Sequence, residues 1–167
     1  MKFVQMKTKK LRILLVVADQ RELPPHLFKS LKPIFPNHEI EILYTGLGRQ
    51  SADVLSRKLD SSPAYDYVLN VGTTAAVNSS LNLGDVVVPF KCLKVERIPD
   101  YIDTVNSSIL LRNVLPHTLK VILLTSDEFV TKEDLPNLLK KVGRFDIIDM
   151  ECYNYIQVCR DYNVNLS

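Results

Sequence analysis

Two acidic residues near the end of the chain are the clearest candidates for chemistry. Asp149 and Glu151 flank Met150 in the stretch "IIDMEC", where an apolar run passes into helical spacing. Acidic side chains at such a junction stabilise the start of a helix through capping and the helix dipole. A carboxylate there can instead accept hydrogen bonds from two neighbouring hydroxyl groups, as on a ribose. The residues by themselves leave both interpretations open.

Four further stretches place polar, small or aromatic residues directly after predicted strands. They are "ADQREL" (18–23), "TGLGRQSA" (45–52), "NVGTTAAV" (70–77) and "TSDEFV" (125–130). Glu22 in the first could act as a general base, although a solvated charged turn is the commoner reason for such residues. Phe129 in the last could stack on a base, although a lone phenylalanine more often belongs to the core.

The glycines in these stretches match no phosphate-binding motif. "TGLGRQSA" is not GxGxxG because residue 51 is serine, and no GK[ST] follows as in a P-loop. Two glycines between a strand and a helix indicate a tight turn, and small residues after Gly72 allow either a flat ligand or close helix packing. A dinucleotide-binding or flavodoxin-like protein is therefore disfavoured.

Apolar patterns along the chain predict alternating strands and helices. Strands are predicted over 12–18, 39–44, 66–71, 85–90, 119–125 and 145–149, and helices over 23–33, 50–60, 106–113, 132–141 and 151–161. Residues 91–105 read as irregular, and Thr131 with Asp134 resembles a capping box. The alternation predicts an α/β fold, a three-layer α/β/α arrangement with a central mixed sheet. Ligands of such folds bind beyond the carboxyl ends of the strands, so the stretches above should converge.

Length and composition indicate one globular domain over residues 1–167, with residues 1–10 as a flexible or additional N-terminal segment. Of the 167 residues, 46% are hydrophobic and 24% are charged, and the net charge is +2. So small a charge argues against nucleic acid or a membrane surface as a partner. No apolar stretch is long enough to span a bilayer, and no signal-peptide pattern follows the basic first residues.

The cysteines and histidines favour a cytoplasmic protein without a metal. Cys92, Cys152 and Cys159 are an odd number and form no CxxC, which predicts free thiols in a reducing compartment. The three histidines are far apart and near no cysteine, so we expect neither a metal site nor a cofactor.

Together these stretches resemble the nucleoside phosphorylase and nucleosidase superfamily, and most of all the 5'-methylthioadenosine/S-adenosylhomocysteine nucleosidases. The resemblance runs from about residue 12 to the last residue. It is carried by "ILLVVADQREL", "TGLGRQSA", "LNVGTTAAVNSSLNLGDVVVP", and "LLTSDEFV" with "IIDMECYNYIQVCRDYNV", of which the last two are the most specific. It implies a nucleoside phosphorylase-like fold and cleavage of the N-glycosidic bond of a purine nucleoside.

The resemblance also implies which residues surround the sugar. Glu22 matches the carboxylate that activates the attacking water. Met150 and Glu151 match the pair that holds the ribose. Thr73 stands where the family often has a serine beside the ribose or the water.

Three more residues match positions at the two ends of the nucleoside. Phe129 matches the aromatic residue that packs on the purine, and Val130 matches the backbone at the edge of the base. Leu47 matches a position near the 5' substituent. The resemblance implies a small-molecule nucleoside partner, no cofactor, and a homo-oligomer of two or more chains.

Two departures from the family concern the proton donor and the small-residue loop. In the family, the strand after "NVP" ends in R-x-x-S-D, and its Asp protonates the purine. Here the sequence reads "DYNVNLS", with Asn165 in place of the proline. We therefore expect the final strand, the acid and the last helix to be absent. Ala75 and Ala76 replace the glycines of the family's loop, and their methyl groups should crowd the pocket.

A third departure favours water over phosphate as the acceptor. Phosphorylases of this superfamily often have an arginine just before "VG", where this chain has Asn70. Arg21 and Arg49 remain possible anion contacts. The sequence thus supports a purine nucleosidase, with activity impaired if the acid is absent. The alternatives are a noncatalytic nucleoside-binding or oligomerisation relative and a nucleoside phosphorylase.

Overall fold

The first sheet consists of parallel strands with a buried central strand. The computed structural model describes residues 10–62, 64–95, 104–106 and 118–166. Strands β1 (Arg12–Val17), β2 (Glu39–Tyr44), β3 (Tyr67–Asn70) and β9 (Asn165–Leu166) pair in the order β2-β1-β3-β9. All three pairings are parallel. The apolar run of β1 is buried from residue 14 to residue 17, as expected for a strand with neighbours on both edges.

The second sheet is mixed. It contains β4 (Ala75–Ala76), β5 (Val87–Val95), β6 (Thr104–Asn106), β7 (Leu119–Ser126) and β8 (Ile147–Asp149), in the order β4-β8-β7-β5-β6. The three central strands are parallel, and both edge strands are antiparallel to their neighbours.

Four α-helices lie within the described part of the chain. They are α1 (Pro25–Leu31), α2 (Ser51–Ser61), α3 (Leu135–Val142) and α4 (Cys152–Asp161), and a 3₁₀ turn (Lys32–Ile34) follows α1. Helix α4 joins the two sheets. Its Tyr155 and Cys159 pack with Leu14 of β1, whereas Tyr153 and Ile156 pack with residues of the second sheet.

The second sheet is covered on both faces. Leu123 and Ile147 belong to the cluster under α4, whereas the next residue on each strand, Leu124 and Ile148, packs with residues of α3. Successive side chains of a strand point to opposite faces, so a continuous apolar run serves both clusters. The predicted α/β class with helices around a mixed sheet is confirmed, although the sheet is divided into two.

Most predicted elements are confirmed to within one or two residues, and the departures have local causes. Residues 91–95 were expected to be irregular, but they continue β5, because they pair along their length with β7. Helix α3 begins at Leu135 rather than at residue 132. The Asp134 carboxylate accepts hydrogen bonds from the Thr131 amide and hydroxyl, which fixes a turn ahead of the helix. Of the helix predicted over 106–113, Asn106 lies in β6 and the rest lies outside the described residues.

One detail at the end of the chain differs from expectation. The family's final strand was expected to be absent, yet Asn165 and Leu166 pair in parallel with Tyr67 and Val68 of β3. A turn in which Asn163 has a φ of 52° connects α4 to this strand. The predicted N-terminal segment, residues 1–10, lies outside the described residues except for Lys10.

Three further observations concern the cysteines, metal-binding side chains and membrane-spanning helices. The three cysteines are buried and unbonded. In the described ranges, no group of three or more potential ligand side chains is placed to hold a metal ion. No helix among the described residues has both the length and the apolar character needed to cross a membrane.

Candidate active site at the carboxyl ends of the strands

A cavity of about 300 Å³ lies between the two sheets and α4. Most of its wall is apolar and comes from strands of both sheets and from α4. Polar residues at or just after the ends of strands line one part of it, namely Glu22, Asn70, Thr73, Thr74, Asp149 and Glu151, and Arg160 and Asn165 also line it. The predicted convergence of strand-end residues is therefore observed for Glu22, Thr73 and Glu151.

Glu22 is held by the loop that follows β3. Its Oε1 accepts hydrogen bonds from the Thr73 amide at 2.8 Å and from the Thr73 hydroxyl at 2.6 Å. Its Oε2 accepts a longer hydrogen bond from the amide of Asp19 at 3.3 Å. A Cβ atom on Gly72 would lie 3.1 and 3.2 Å from the two carboxylate oxygens. The absence of a side chain at residue 72 thus leaves room for the carboxylate to lie against the backbone.

Glu151 is buried at the start of α4 and is held by the glycine turn after β2. It is 8% exposed, and its Oε1 accepts a hydrogen bond from the Gly48 amide at 2.7 Å. Gly48 has a φ of 72°, in the left-handed region that favours glycine. The turn in "TGLGRQSA" therefore connects strand and helix and also orients the Gly48 amide toward the Glu151 carboxylate.

The charge of Glu22 acts on Glu151. Burial raises the pKa of Glu151, and the nearby negative charge of Glu22 raises it further. Hydrogen bonds from the Gly48 and Met150 amides oppose this shift of the Glu151 pKa. Two carboxylates close enough to interact, one fully buried and one half-buried, can take different roles in proton transfer and in binding.

Asp149 has the capping role that its place at a helix start predicts. Its Oδ2 accepts a hydrogen bond from the Cys152 amide at 2.9 Å, and its Oδ1 accepts one from the Thr125 hydroxyl at 2.6 Å. Thr125 in turn accepts from the Tyr153 amide at 3.1 Å. Burial raises the pKa of Asp149 to about 7, although these hydrogen bonds favour the ionised form.

Met150 and Leu47 lie beside Glu151 but do not line the cavity. The Met150 methyl lies 3.9 Å from the position of a Cβ atom built on Gly48, so it packs over the glycine turn. Leu47 projects from the same turn and is 60% exposed.

Phe129 and Val130 line a second cavity of about 240 Å³ beyond the ends of β5 and β7. Val130 packs against the cluster of α3. Phe129 is 83% exposed, so it is not a core residue. The seven predicted site residues thus divide between the first cavity with its rim and this separate cavity.

The possible anion contacts Arg21 and Arg49 do not line the first cavity. The Arg21 guanidinium pairs with Asp19 at 2.5 Å, and this pair lowers the pKa of Asp19 to about 2. Neither Arg21 nor Arg49 lines the first cavity, where Arg160 is the one basic residue among the described lining residues. Arg160 is nine residues after Glu151 on α4, so its backbone is about 13 Å away along the helix.

Sequence reasoning missed the donors that hold the carboxylates. The Gly48 amide and Thr125 are not identifiable from residue type alone, since a backbone donor leaves no signature beyond the glycine that permits its conformation. Thr73 was predicted to lie beside the ribose or the water, and the structure places its hydroxyl on Glu22.

Sequence relatives of the chain are nucleosidases. No protein-family model matches the chain. The 5'-methylthioadenosine/S-adenosylhomocysteine nucleosidase of Buchnera aphidicola subsp. Acyrthosiphon pisum is 28% identical over 152 residues, covering 79% of this chain and 66% of that protein. The Staphylococcus carnosus enzyme of the same name is 29% identical over 72 residues, covering 43% of this chain and 32% of that protein. The chain thus spans just under two thirds of the length of the Buchnera relative.

Solved structures of similar fold include a 5'-methylthioadenosine/S-adenosylhomocysteine nucleosidase and a futalosine hydrolase. The Neisseria meningitidis 5'-methylthioadenosine/S-adenosylhomocysteine nucleosidase in complex with methylthio-immucillin-A has a TM-score of 0.75 at 16% identity, covering 93% of this chain and 82% of that chain. A mutant of the Helicobacter pylori futalosine hydrolase also has a TM-score of 0.75 at 16% identity, covering 95% of this chain and 88% of that chain. The chain is a sequence relative of the 5'-methylthioadenosine/S-adenosylhomocysteine nucleosidases, with the fold of the nucleoside phosphorylase/nucleosidase superfamily.

Proposed function

We propose that this chain carries the nucleoside site of a purine nucleosidase, which hydrolyses the N-glycosidic bond of 5'-methylthioadenosine, S-adenosylhomocysteine or a related nucleoside. The observation that carries the proposal is the meeting of Glu22 and Glu151 in one cavity, each held by backbone amide donors. The sequence relatives named above supply the substrate class.

In the proposed reaction, Glu22 acts on the attacking water and Glu151 binds the ribose. Cleavage of the C–N bond develops positive, oxocarbenium character on the ribose. Glu22 accepts a proton from the attacking water, and its hydrogen bonds from Thr73 keep it oriented for that transfer. The departing purine takes up a proton from solvent as the C–N bond breaks. Glu151 accepts hydrogen bonds from the ribose hydroxyls, and Met150 packs against the sugar. A buried carboxylate is well suited to this role, since hydrogen bonds to a charged acceptor strengthen in a low-dielectric site.

The remaining predicted residues bind the two ends of the nucleoside, which in this proposal extends from the first cavity to the second. Phe129 packs on the purine and the Val130 backbone meets the edge of the base, while Leu47 contacts the 5' substituent. The exposed position of Phe129 and Leu47 leaves both side chains accessible to a ligand.

Water is the proposed acceptor rather than phosphate. Phosphate would need a cation near Glu22, but Arg21 is paired with Asp19, and Arg160 lies toward the far end of α4. Asn70 lines the cavity at the position where an arginine is typical of phosphorylases. A neutral residue there suits a water molecule as the nucleophile.

The test is release of adenine from 5'-methylthioadenosine, with and without phosphate. We expect release that does not depend on phosphate and that yields free 5-methylthioribose. A phosphate requirement, with 5-methylthioribose 1-phosphate as the product, would identify a phosphorylase instead. Futalosine belongs in the same panel because of the structural similarity to the futalosine hydrolase.

The same samples distinguish a noncatalytic nucleoside-binding protein from a nucleosidase. Such a protein raises its melting temperature in the presence of a nucleoside but leaves the nucleoside intact. Folded protein with neither release nor a thermal shift across the panel would contradict both functions.

A further inference from the structure

A buried lysine connects the loop that carries Phe129 to the helix that begins after Glu151. Lys94 lies next to the end of β5 and is 6% exposed. Its ammonium donates to Asn154 Oδ1 on α4 at 2.9 Å and lies 3.3 Å from Asp127 Oδ2, just after β7. The ammonium also lies 5.6 Å from the centre of the Tyr153 ring. Residues of β5, β7 and α4 therefore meet at one charged group.

The alternation of β5 explains why this lysine is buried. Cys92 belongs to the cluster under α4, and Leu93 belongs to the cluster of α3 on the other face. Because side chains alternate along a strand, Lys94 lies on the same face as Cys92, toward α4. A lysine is rarely buried unless it is paired, since an isolated ammonium is costly to remove from water. Contacts with Asn154 and Asp127 therefore offset the cost of burying the Lys94 ammonium.

Asp127 and Asn154 depend on the same ammonium. Within the described part of the chain, Asp127 Oδ1 and Asn154 Nδ2 are enclosed and have no hydrogen-bond partner. Among the described residues, the side-chain hydrogen bond of Asn154 and the ion pair of Asp127 are both made with Lys94. Loss of Lys94 would leave a carboxylate and an amide enclosed without a partner, which favours movement of the loop toward water.

The position of Phe129 depends on this anchor because its own side chain makes little packing. Phe129 follows Asp127 by two residues and is 83% exposed. The Ser126 hydroxyl donates to the Glu128 carbonyl at 2.8 Å and accepts from the Glu128 amide at 3.3 Å, which closes a tight turn around Asp127. Because the turn is held by these hydrogen bonds, the position of Asp127 determines the position of Phe129.

We propose that Lys94 is a positioning residue that holds the loop 126–130 against α4 and thereby sets the separation between Phe129 and Glu151. The consequence for binding rests on the proposed function, in which one nucleoside contacts both residues through its base and its ribose. Lys94 itself touches neither part of the ligand in this proposal.

Loop mobility tests the proposal without any ligand. The chain contains no tryptophan, so Phe129→Trp places a single indole in the loop. We expect Lys94→Met in that background to increase the fast component of the fluorescence anisotropy decay well below the melting temperature. Lys91→Met, the same substitution on the same strand, should leave the decay unchanged. An indole equally restrained in Lys94→Met and its parent would overturn the proposal, even if the variant melted at a lower temperature.

Ligand binding supplies the second measurement. Lys94→Met in the natural Phe129 background should raise the KM for 5'-methylthioadenosine about two- to ten-fold, the cost of ordering a loop side chain on binding. The value of kcat should stay close to that of the unsubstituted chain, because Glu22 and Thr73 are not involved. An unchanged KM, or a loss confined to kcat, would contradict a positioning role.

The outcomes for Lys94 and for the proposed function can be told apart. If the unsubstituted chain neither binds nor cleaves a nucleoside, the proposed function fails, but the anisotropy experiment still decides the role of Lys94. If Lys94→Met does not fold, Asp127→Asn takes its place, because it removes the ion pair and keeps the lysine with Asn154. The same increase in indole motion is then expected, and an unchanged decay would contradict the proposal.

Discussion

Glu22 and Glu151 are each held by backbone donors beside one cavity, whereas Phe129 projects from a loop with 83% of its surface exposed. The carboxylates lie at the ends of strands and at a helix start, where short turns and parallel pairing determine their positions. The aromatic residue is anchored indirectly, through Asp127 and the buried Lys94. Secondary structure thus positions the two carboxylates of the proposed site, whereas the tertiary contact between Lys94 and Asp127 positions Phe129, the proposed base-binding residue.

This difference predicts that substitutions at the carboxylates reduce turnover, whereas those at the loop reduce affinity. The largest effect is expected for Glu22→Gln, which keeps the shape of the side chain but cannot take a proton from water. We expect kcat for adenine release to fall about a hundred- to ten-thousand-fold. Glu133→Gln, an exposed position before α3, is the matched control. Retention of full activity in Glu22→Gln would remove this residue from the chemistry.

The dependence of stability on pH should come from the carboxylate region. Burial raises the pKa of Asp149 from 3.8 to about 7 in the folded protein. Between these pH values the folded state binds the proton more tightly than the unfolded state. The contribution of Asp149 to stability is therefore lost as pH rises from about 4 to about 7, by at most about 4 kcal/mol.

Asp149→Asn should lack this dependence while retaining a side-chain oxygen that can accept a hydrogen bond. Urea unfolding at a series of pH values gives the comparison, and the free energy of unfolding of the unsubstituted chain should fall relative to that of the variant. Parallel curves for the two proteins would show that the pKa of Asp149 is the same in the folded and unfolded states.

Glu151→Gln should have the next largest effect, because it removes the charged acceptor for the ribose hydroxyls. We expect kcat/KM to fall about ten- to a hundred-fold, the size of a hydrogen bond to a charged group. The loss should be smaller for a substrate that lacks one ribose hydroxyl, since part of the interaction is already missing. Equal losses for both substrates would argue against a contact between Glu151 and the sugar.

Gly72→Ala tests how closely Glu22 must be placed. The added methyl would lie 3.1 and 3.2 Å from the Glu22 carboxylate oxygens, so the carboxylate must shift by a few tenths of an ångström. We expect kcat to fall about ten-fold, since small displacements of a reacting group are costly. The melting temperature should change little, because the displaced atoms are at the end of a flexible side chain. Unchanged turnover would show that the site tolerates the shift.

Phe129→Ala should have the smallest effect, and it should change KM rather than kcat. The side chain is exposed in the free protein, so its loss should leave the melting temperature unchanged. We expect KM to rise about two- to ten-fold, in line with the loss of one aromatic stacking contact. Phe35→Ala, at an exposed residue away from both cavities, is the control. A fall in kcat without a change in KM would contradict the division between the two regions.

Much of the fold follows from local sequence patterns. The buried run of β1, the alternating β2 and the helix after Glu151 are recognisable because apolar spacing reflects the period of each element. The convergence of Glu22, Thr73 and Glu151 also follows, because the carboxyl ends of parallel strands meet at one edge. The polar residues of "KCLKV" misled the prediction, since Lys94 is buried by partners that are distant in sequence.

The sequence by itself determined the α/β class, the order of most elements and the meeting of Glu22, Thr73 and Glu151 at one cavity, because these depend on local periodicity and on the ends of strands. The tertiary structure alone decided that the sheet divides in two, that Gly48 donates to Glu151, and that Phe129 lies at a separate cavity. It also decided that Lys94 is buried between Asp127 and Asn154. Each of these depends on contacts between residues far apart in the chain, whose geometry no local pattern encodes.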